Sequence, residues 1–137
     1  MIPHPRELTS HQQPALLVDE LESAHADGAS GTTRLRPGTW DLLQLTEGCA
    51  QSIAVVMGFV SRQAGSGERA RGMLVGVKDA CLLADAPSAE RIAVRITRLL
   101  ELAPFAIYQT EARAEDGTLV MRAELKIMAL PSQEEAR

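Results

Sequence analysis

At 137 residues the chain has room for one domain, and 45% hydrophobic residues can fill a core. Only 3% are aromatic, so aliphatic side chains make that core and few rings remain to stack on bases. A net charge of −4 excludes a bulk basic footprint for nucleic acid. The start Met1-Ile2-Pro3-His4-Pro5 carries no charged-then-apolar signal pattern, so the protein is expected in the cytoplasm. Cys49 and Cys81 both sit in apolar segments and are expected to be reduced, buried thiols. Neither they nor the three histidines have metal-ligand spacing.

In chain order, Ala15 to Ser23 reads as a strand, with an apolar front half and an acidic back half. "HADGASG", His25 to Gly31, is turn chemistry, and "TTRLR" returns as the second arm of a hairpin. Thr39 to Gln63 reads as one helix, with Thr39 or Asp41 as its cap. From Leu42 to Val60 it is apolar nearly all round, which predicts burial on most sides. A membrane span is the competing reading, but Gln44, Thr46, Glu47, Gln51 and Ser52 interrupt it, and a lipid-facing carboxylate is costly.

After a polar loop, "QAGSGERARG", the pattern turns to strands: Gly72 to Ala84, then "RIAVRITRLLELA", then "PFAIYQTEARA", then "TLVMRAELKIMAL". In the second of these, Ile92, Val94 and Ile96 share a face. In the last, Met121, Ala123, Leu125 and Ile127 share a face opposite Arg122, Glu124 and Lys126. Asp116-Gly117 between two alternating runs is a hairpin signal. An apolar helix needs a wrapper, and a curved antiparallel sheet supplies it. The expected fold is therefore α+β, a hotdog fold with its sheet wrapped around one central helix. It is expected as a single domain over 1–137, with a lead-in over about 1–10 and a frayed tail over 131–137.

Two ionisable residues stand in unlikely places. Glu47 is the sole carboxylate between Leu42 and Val60. A buried carboxylate must be neutral or hydrogen-bonded, so Glu47 reads either as a packed structural residue or as an acid kept protonated near neutral pH. Gln51, four residues on, is spaced to reach it. His11 stands before Pro14, which restricts Gln13 to extended geometry, and it reads either as an exposed loop histidine or as an imidazole fixed at a strand entrance. His4 and His25 read as surface residues. The helix N-terminus, at Leu42 and Leu43, offers unpaired amides and a positive dipole end that can polarise a carbonyl.

"HQQPALLVD" resembles the "HRxPFLLVD" segment of FabZ-type 3-hydroxyacyl–acyl-carrier-protein dehydratases, in register at His11, Pro14 and Asp19. "EGCAQ" resembles that family's "EAMAQ", in register at Glu47, Ala50 and Gln51, and "LVGVKDACLL" resembles the strand after its helix. The small dehydratases of aryl-polyene-type gene clusters are closer still, since Trp40 precedes the helix as theirs does. The resemblance implies a hydro-lyase that needs no cofactor and no metal. It implies His11 as catalytic base, Glu47 as catalytic acid, Gln51 and Pro14 in support, and the amides of Leu42 and Leu43 at the thioester carbonyl. It also implies an acyl carrier protein as partner and sites shared across a homodimer, or a heterodimer with a related subunit. Arg34, Arg36, Arg62, Arg69 and Arg71 are the candidates for carrier docking. "LRPGTWDLL" stands where the family carries "FPGxPxxPG", and "PSAERI" where it carries "PGD". Gly48 replaces an alanine and is expected to open space beside Glu47. Two other readings remain: a hotdog thioesterase, and a non-catalytic acyl- or carrier-binding dehydratase partner.

Overall fold

The computed structural model describes residues 2–5, 8, 16–65 and 72–130. The elements are β1 (Val18–Ala24), β2 (Ser30–Leu35), α1 (Leu42–Gln63), β3 (Gly72–Leu82), β4 (Ile92–Leu102), β5 (Phe105–Arg113) and β6 (Leu119–Ala129). The six strands form one sheet in the order β1-β2-β4-β5-β6-β3, and every neighbouring pair is antiparallel. The sheet curves around α1, which touches all six strands. This is the hotdog arrangement.

Alternation explains how the sheet grips the helix. Ile92, Val94 and Ile96 on β4, Tyr108, Thr110 and Ala112 on β5, and Met121, Ala123, Leu125 and Ile127 on β6 are all buried against α1. The cross-strand pairs Val94↔Ala112, Ile96↔Thr110, Tyr108↔Leu125 and Ala112↔Met121 keep these residues on one face. The opposite face carries Arg95↔Glu111 and Glu111↔Arg122, a charged row open to solvent. The Asp116-Gly117 turn closes β5 to β6, with Gly117 at φ 91, a conformation that suits glycine.

The helix is held by close approaches as well as by side-chain packing. A Cβ on Gly31 of β2 would lie 2.6 Å from a Val56 methyl, so the strand lies directly on the helix there. A Cβ on Gly48 would lie 2.7 Å from a Leu35 methyl. Gly48 therefore admits Leu35 of β2 and does not open space beside Glu47. The buried hydroxyls of Ser52 and Thr33 meet at 2.7 Å, and Ser52 also donates to the Gly48 carbonyl. By length and composition α1 could cross a membrane, but 56% of its apolar window is buried inside the fold.

Three expectations change. The strand does not extend back through Leu16 and Leu17: the Leu17 amide is drawn to a helix side chain instead of a neighbouring strand. Glu47 does not lie in the buried part of the helix. Leu43 and Glu47 are exposed, and Ala50, Ala54, Met57 and Ser61 are only half-buried, so one stripe along α1 has no cover from its own chain. Finally, Cys81 is exposed. It pairs across the sheet with Arg122, which places it on the outer face.

Cys49 is fully buried beside Met121, and its burial pushes the thiol from 9.0 up to about 12. The folded state then holds that proton more tightly than the unfolded chain does. The stability it carries is complete below the ordinary thiol range and is lost as pH rises from there towards about 12. A thiol reagent near pH 8 is expected to label Cys81 quickly and Cys49 only on unfolding. Peptide mapping of the labelled protein checks both.

Candidate active site

The site is built at the N-terminal end of α1. Asp41 caps the helix, its side chain accepting from the Gln44 amide at 2.8 Å while its carbonyl accepts from the Leu45 amide. That leaves the amides of Leu42 and Leu43 without an intrahelical acceptor, at the positive end of a 22-residue helix. Leu43 is 78% exposed, so this end of the helix faces outward.

Glu47 lies one turn further along and is exposed, not buried as its apolar neighbours imply. Residues 43, 47, 50, 54, 57 and 61 follow one helix face, and that is the uncovered stripe. The buried polar residue is Gln51, only 1% exposed. Its amide is used at both ends. The Leu17 amide donates to Gln51 Oε1 at 2.6 Å, and Gln51 Nε2 donates to Glu47 Oε1 at 3.3 Å. The first bond fixes the second, because an oxygen facing Leu17 turns the NH₂ towards the carboxyl. Gln51 thus joins three features: the helix, the segment leading into β1, and the Glu47 carboxyl.

His11 and Pro14 lie outside the described residues. In sequence His11 stands six residues before Leu17, whose amide is bonded to Gln51. His4 and His25 are both exposed, as expected, and His25 Nδ1 meets Asp27 at 2.7 Å in the β1–β2 turn. That contact and the Ala29 amide hold the Asp27 carboxyl below its ordinary range, the amide contributing most. Of the candidate docking arginines, Arg34 is engaged by Glu22 at 2.8 Å, Arg62 is exposed in the last turn of α1, and Arg69 and Arg71 lie outside the described residues.

Two features escape sequence reasoning. Trp40 Nε1 is buried with no hydrogen-bond partner, the one such side-chain atom among the described residues. A buried donor left this way costs about 1–3 kcal/mol, and nothing in the sequence distinguishes it from an indole with a partner. The second feature is β3. It is an edge strand of 11 residues, and Met73, Val75, Val77 and Leu82 are all exposed on it. Val77 and Leu82 pair with Leu125 and Met121, which puts them on the helix side of the sheet. The molecule thus has two exposed features on its helix side, the stripe of α1 that carries Glu47 and the apolar residues Val77 and Leu82 of β3. Cavities of about 630 and 660 Å³ lie beside β1 and on the outer sheet face, and neither is lined by Glu47.

Gln51→Leu is expected to lower stability by about 1–3 kcal/mol, because the Leu17 amide loses its acceptor. Trp40→Phe removes a donor that has no partner and is expected to cost less. Chemical denaturation of the two variants side by side checks the order.

A family model described as ApeP-like, ApeP dehydratase, matches residues 3–136. No curated protein matches the chain. Among solved structures, the dehydratase heterocomplex ApeI:P from Xenorhabdus doucetiae is similar at a TM-score of 0.84 and 15% identity, over 99% of this chain and 96% of that one. A mutant thioesterase from Pseudomonas aeruginosa follows at 0.68 and 13%, over 96% and 97% of the two chains. A hypothetical thioesterase from Streptococcus pneumoniae, solved with coenzyme A, is similar at 0.64 and 10%, over 82% and 86%. At these identities the structures share the fold.

Proposed function

This chain belongs to the ApeP-like dehydratase family, and from that premise we propose that it dehydrates a 3-hydroxyacyl thioester carried on an acyl carrier protein. The product is the trans-2-enoyl thioester. The observation that carries this reading is the Leu17–Gln51–Glu47 chain of hydrogen bonds beside the N-terminal end of α1.

In this reading His11 takes the proton from the carbon next to the thioester carbonyl. Charge moves onto the carbonyl oxygen, and the amides of Leu42 and Leu43 stabilise it. The carbon–oxygen bond at C3 then breaks, Glu47 protonates the departing hydroxyl, and water leaves. Gln51 holds the carboxyl through one of its oxygens. His11 ends with one proton more and Glu47 with one fewer, so a proton transfer between them, directly or through water, resets the pair.

Glu47 is exposed in the single chain. A long apolar edge strand is also a liability in a soluble protein unless something pairs with it. Both points are met if β3 and the uncovered stripe of α1 pair with a second hotdog subunit. That would desolvate Glu47 and close an acyl channel over it. The likeness to the ApeI:P heterocomplex supports a related subunit as the partner; a second copy of this chain is the other arrangement.

The test is water loss from a panel of 3-hydroxyacyl thioesters on carrier protein, followed by mass, with and without the related subunit. Wild type is expected to lose water, and His11→Ala and Glu47→Gln each to fall by about 10²–10⁴-fold while remaining folded. Release of free thiol instead would make the protein a thioesterase. Tight carrier binding with no turnover in any assembly would make it a non-catalytic subunit.

A further inference from the structure

Residues paired across strands point to the same side of a sheet, so the outer face is ordered in rows. Across β3, β6, β5 and β4 the first row is Met73, Met128, Phe105 and Leu102. The second is Gly76, Lys126, Ile107 and Leu100. The third turns polar, with Lys78, Glu124, Gln109 and Thr97, and the fourth ends in the charges of Arg122, Glu111 and Arg95. Half of this face is therefore apolar and half is charged. Met73, Leu100, Leu102 and Phe105 are all exposed, Leu102 at 65%. Lys126 is the one charge in the apolar rows, and its Nζ lies 4.7 Å over the Phe105 ring.

The two leucines reach this face through an irregularity. Ile92, Val94 and Ile96 face the helix, and strict alternation would carry Leu100 and Leu102 to the same side. A bulge between Arg98 and Leu100 shifts the register and turns both outward, opposite Ile107 and Phe105. An exposed apolar patch built in this way marks a contact surface.

The charges indicate what covers it. A second copy laid sheet against sheet, with a two-fold axis along the strands between β5 and β6, keeps strand direction and reverses strand order. Then β6 lies over the copy's β5, and β3 over its β4, row on row. Met128 meets the copy's Phe105, and Met73 meets its Leu102. Arg122 meets the copy's Glu111, and by symmetry Glu111 meets its Arg122. Glu124 meets Gln109, and Lys78 meets Thr97. No like charges are opposed, and the charged row becomes a rim. An acidic partner finds less here, because the apolar rows offer it Lys126 alone. Four strands about 4.8 Å apart and four rows about 6.8 Å apart span about 500 Å² per copy. Two copies thus bury about 1,000 Å², the lower end of specific interfaces, so the association is expected to be reversible.

We propose that the outer face of the sheet is a self-association surface: a second copy of this chain seats on it about a two-fold axis along the strands, apolar rows together and Arg122 paired reciprocally with Glu111. The surface lies on the side of the sheet away from α1. It is therefore compatible with pairing at β3 and α1, and it joins two such pairs back to back. The inference does not rest on the reaction or on Glu47.

The test is analytical ultracentrifugation over a range of chain concentrations, alone and with the related subunit. Wild type is expected to double in mass reversibly as concentration rises, from one pair to two when the related subunit is present. Leu102→Asp, and separately Leu100→Asp, are expected to remain at the lower mass with an unchanged melting temperature. Arg122→Glu and Glu111→Arg each oppose like charges twice across the axis, and each is expected to weaken the association by about 10- to 100-fold. An equimolar mixture of those two variants is expected to regain it, because every pair across the axis is then opposite in sign while the cross-strand pair within each chain stays broken.

A wild-type mass that does not change with concentration overturns the inference, and so does a doubling that both leucine variants leave intact. A mixture no more associated than either charge variant overturns the two-fold arrangement and the inference with it. Loss of carrier-protein binding in Leu102→Asp, with wild-type mass behaviour, would give the face to that partner and overturn self-association.

Discussion

Gln51 is a buried amide that has to be satisfied at both ends, and the rest of the site follows from how that is done. Its oxygen takes the Leu17 amide and its nitrogen goes to Glu47. Leaving either end unpaired at 1% exposure would cost about 1–3 kcal/mol, a large share of a small domain's stability. The pairing therefore persists whenever the protein is folded. It ties the incoming strand to the helix and aims a carboxyl outward. Folding and the orientation of the Glu47 carboxyl are one event.

The sheet makes this possible by what it leaves uncovered. Six strands enclose α1 on most sides, and β3 is an edge strand with exposed apolar side chains. Ala50, Ala54 and Met57 run along the open stripe with Glu47 at its N-terminal end. Small and flexible apolar side chains of this kind suit close contact with another subunit. Charges sit on the other face of the sheet, in the row Arg95, Glu111 and Arg122. The molecule is thus polar where the sheet faces water and apolar around its candidate acid.

Much of the fold was legible because alternation is strict. Met121, Ala123, Leu125 and Ile127 could face only one way, and Asp116-Gly117 could only be a turn. The helix was legible from its length and from Asp41. Exposure was harder to read. An apolar run shows that a helix is covered, but not whether its own chain or a second one supplies the cover, and Glu47 sits at that ambiguity. Cys81 misled for a related reason: β3 is apolar on both faces, so period-2 patterning does not assign its sides, and bulges between Leu74 and Gly76 and between Lys78 and Cys81 shift the register. Gly48 read as space for a carboxyl because glycine does not announce which neighbour approaches it; that neighbour is Leu35. The bond from Leu17 to Gln51 joins residues 34 apart and left no local signal.

The central claim is that Glu47, held by Gln51, protonates a hydroxyl leaving from C3. Incubating a 3-hydroxyacyl carrier protein with the assembled enzyme in heavy-oxygen water tests it most directly, because reversible loss and return of water exchanges that oxygen even when little product accumulates. Heavy oxygen is expected at the C3 hydroxyl with wild type and none with Glu47→Gln. Label in the carboxylate of a released acid, with the C3 oxygen unexchanged, would contradict it and place the chemistry at the thioester carbonyl.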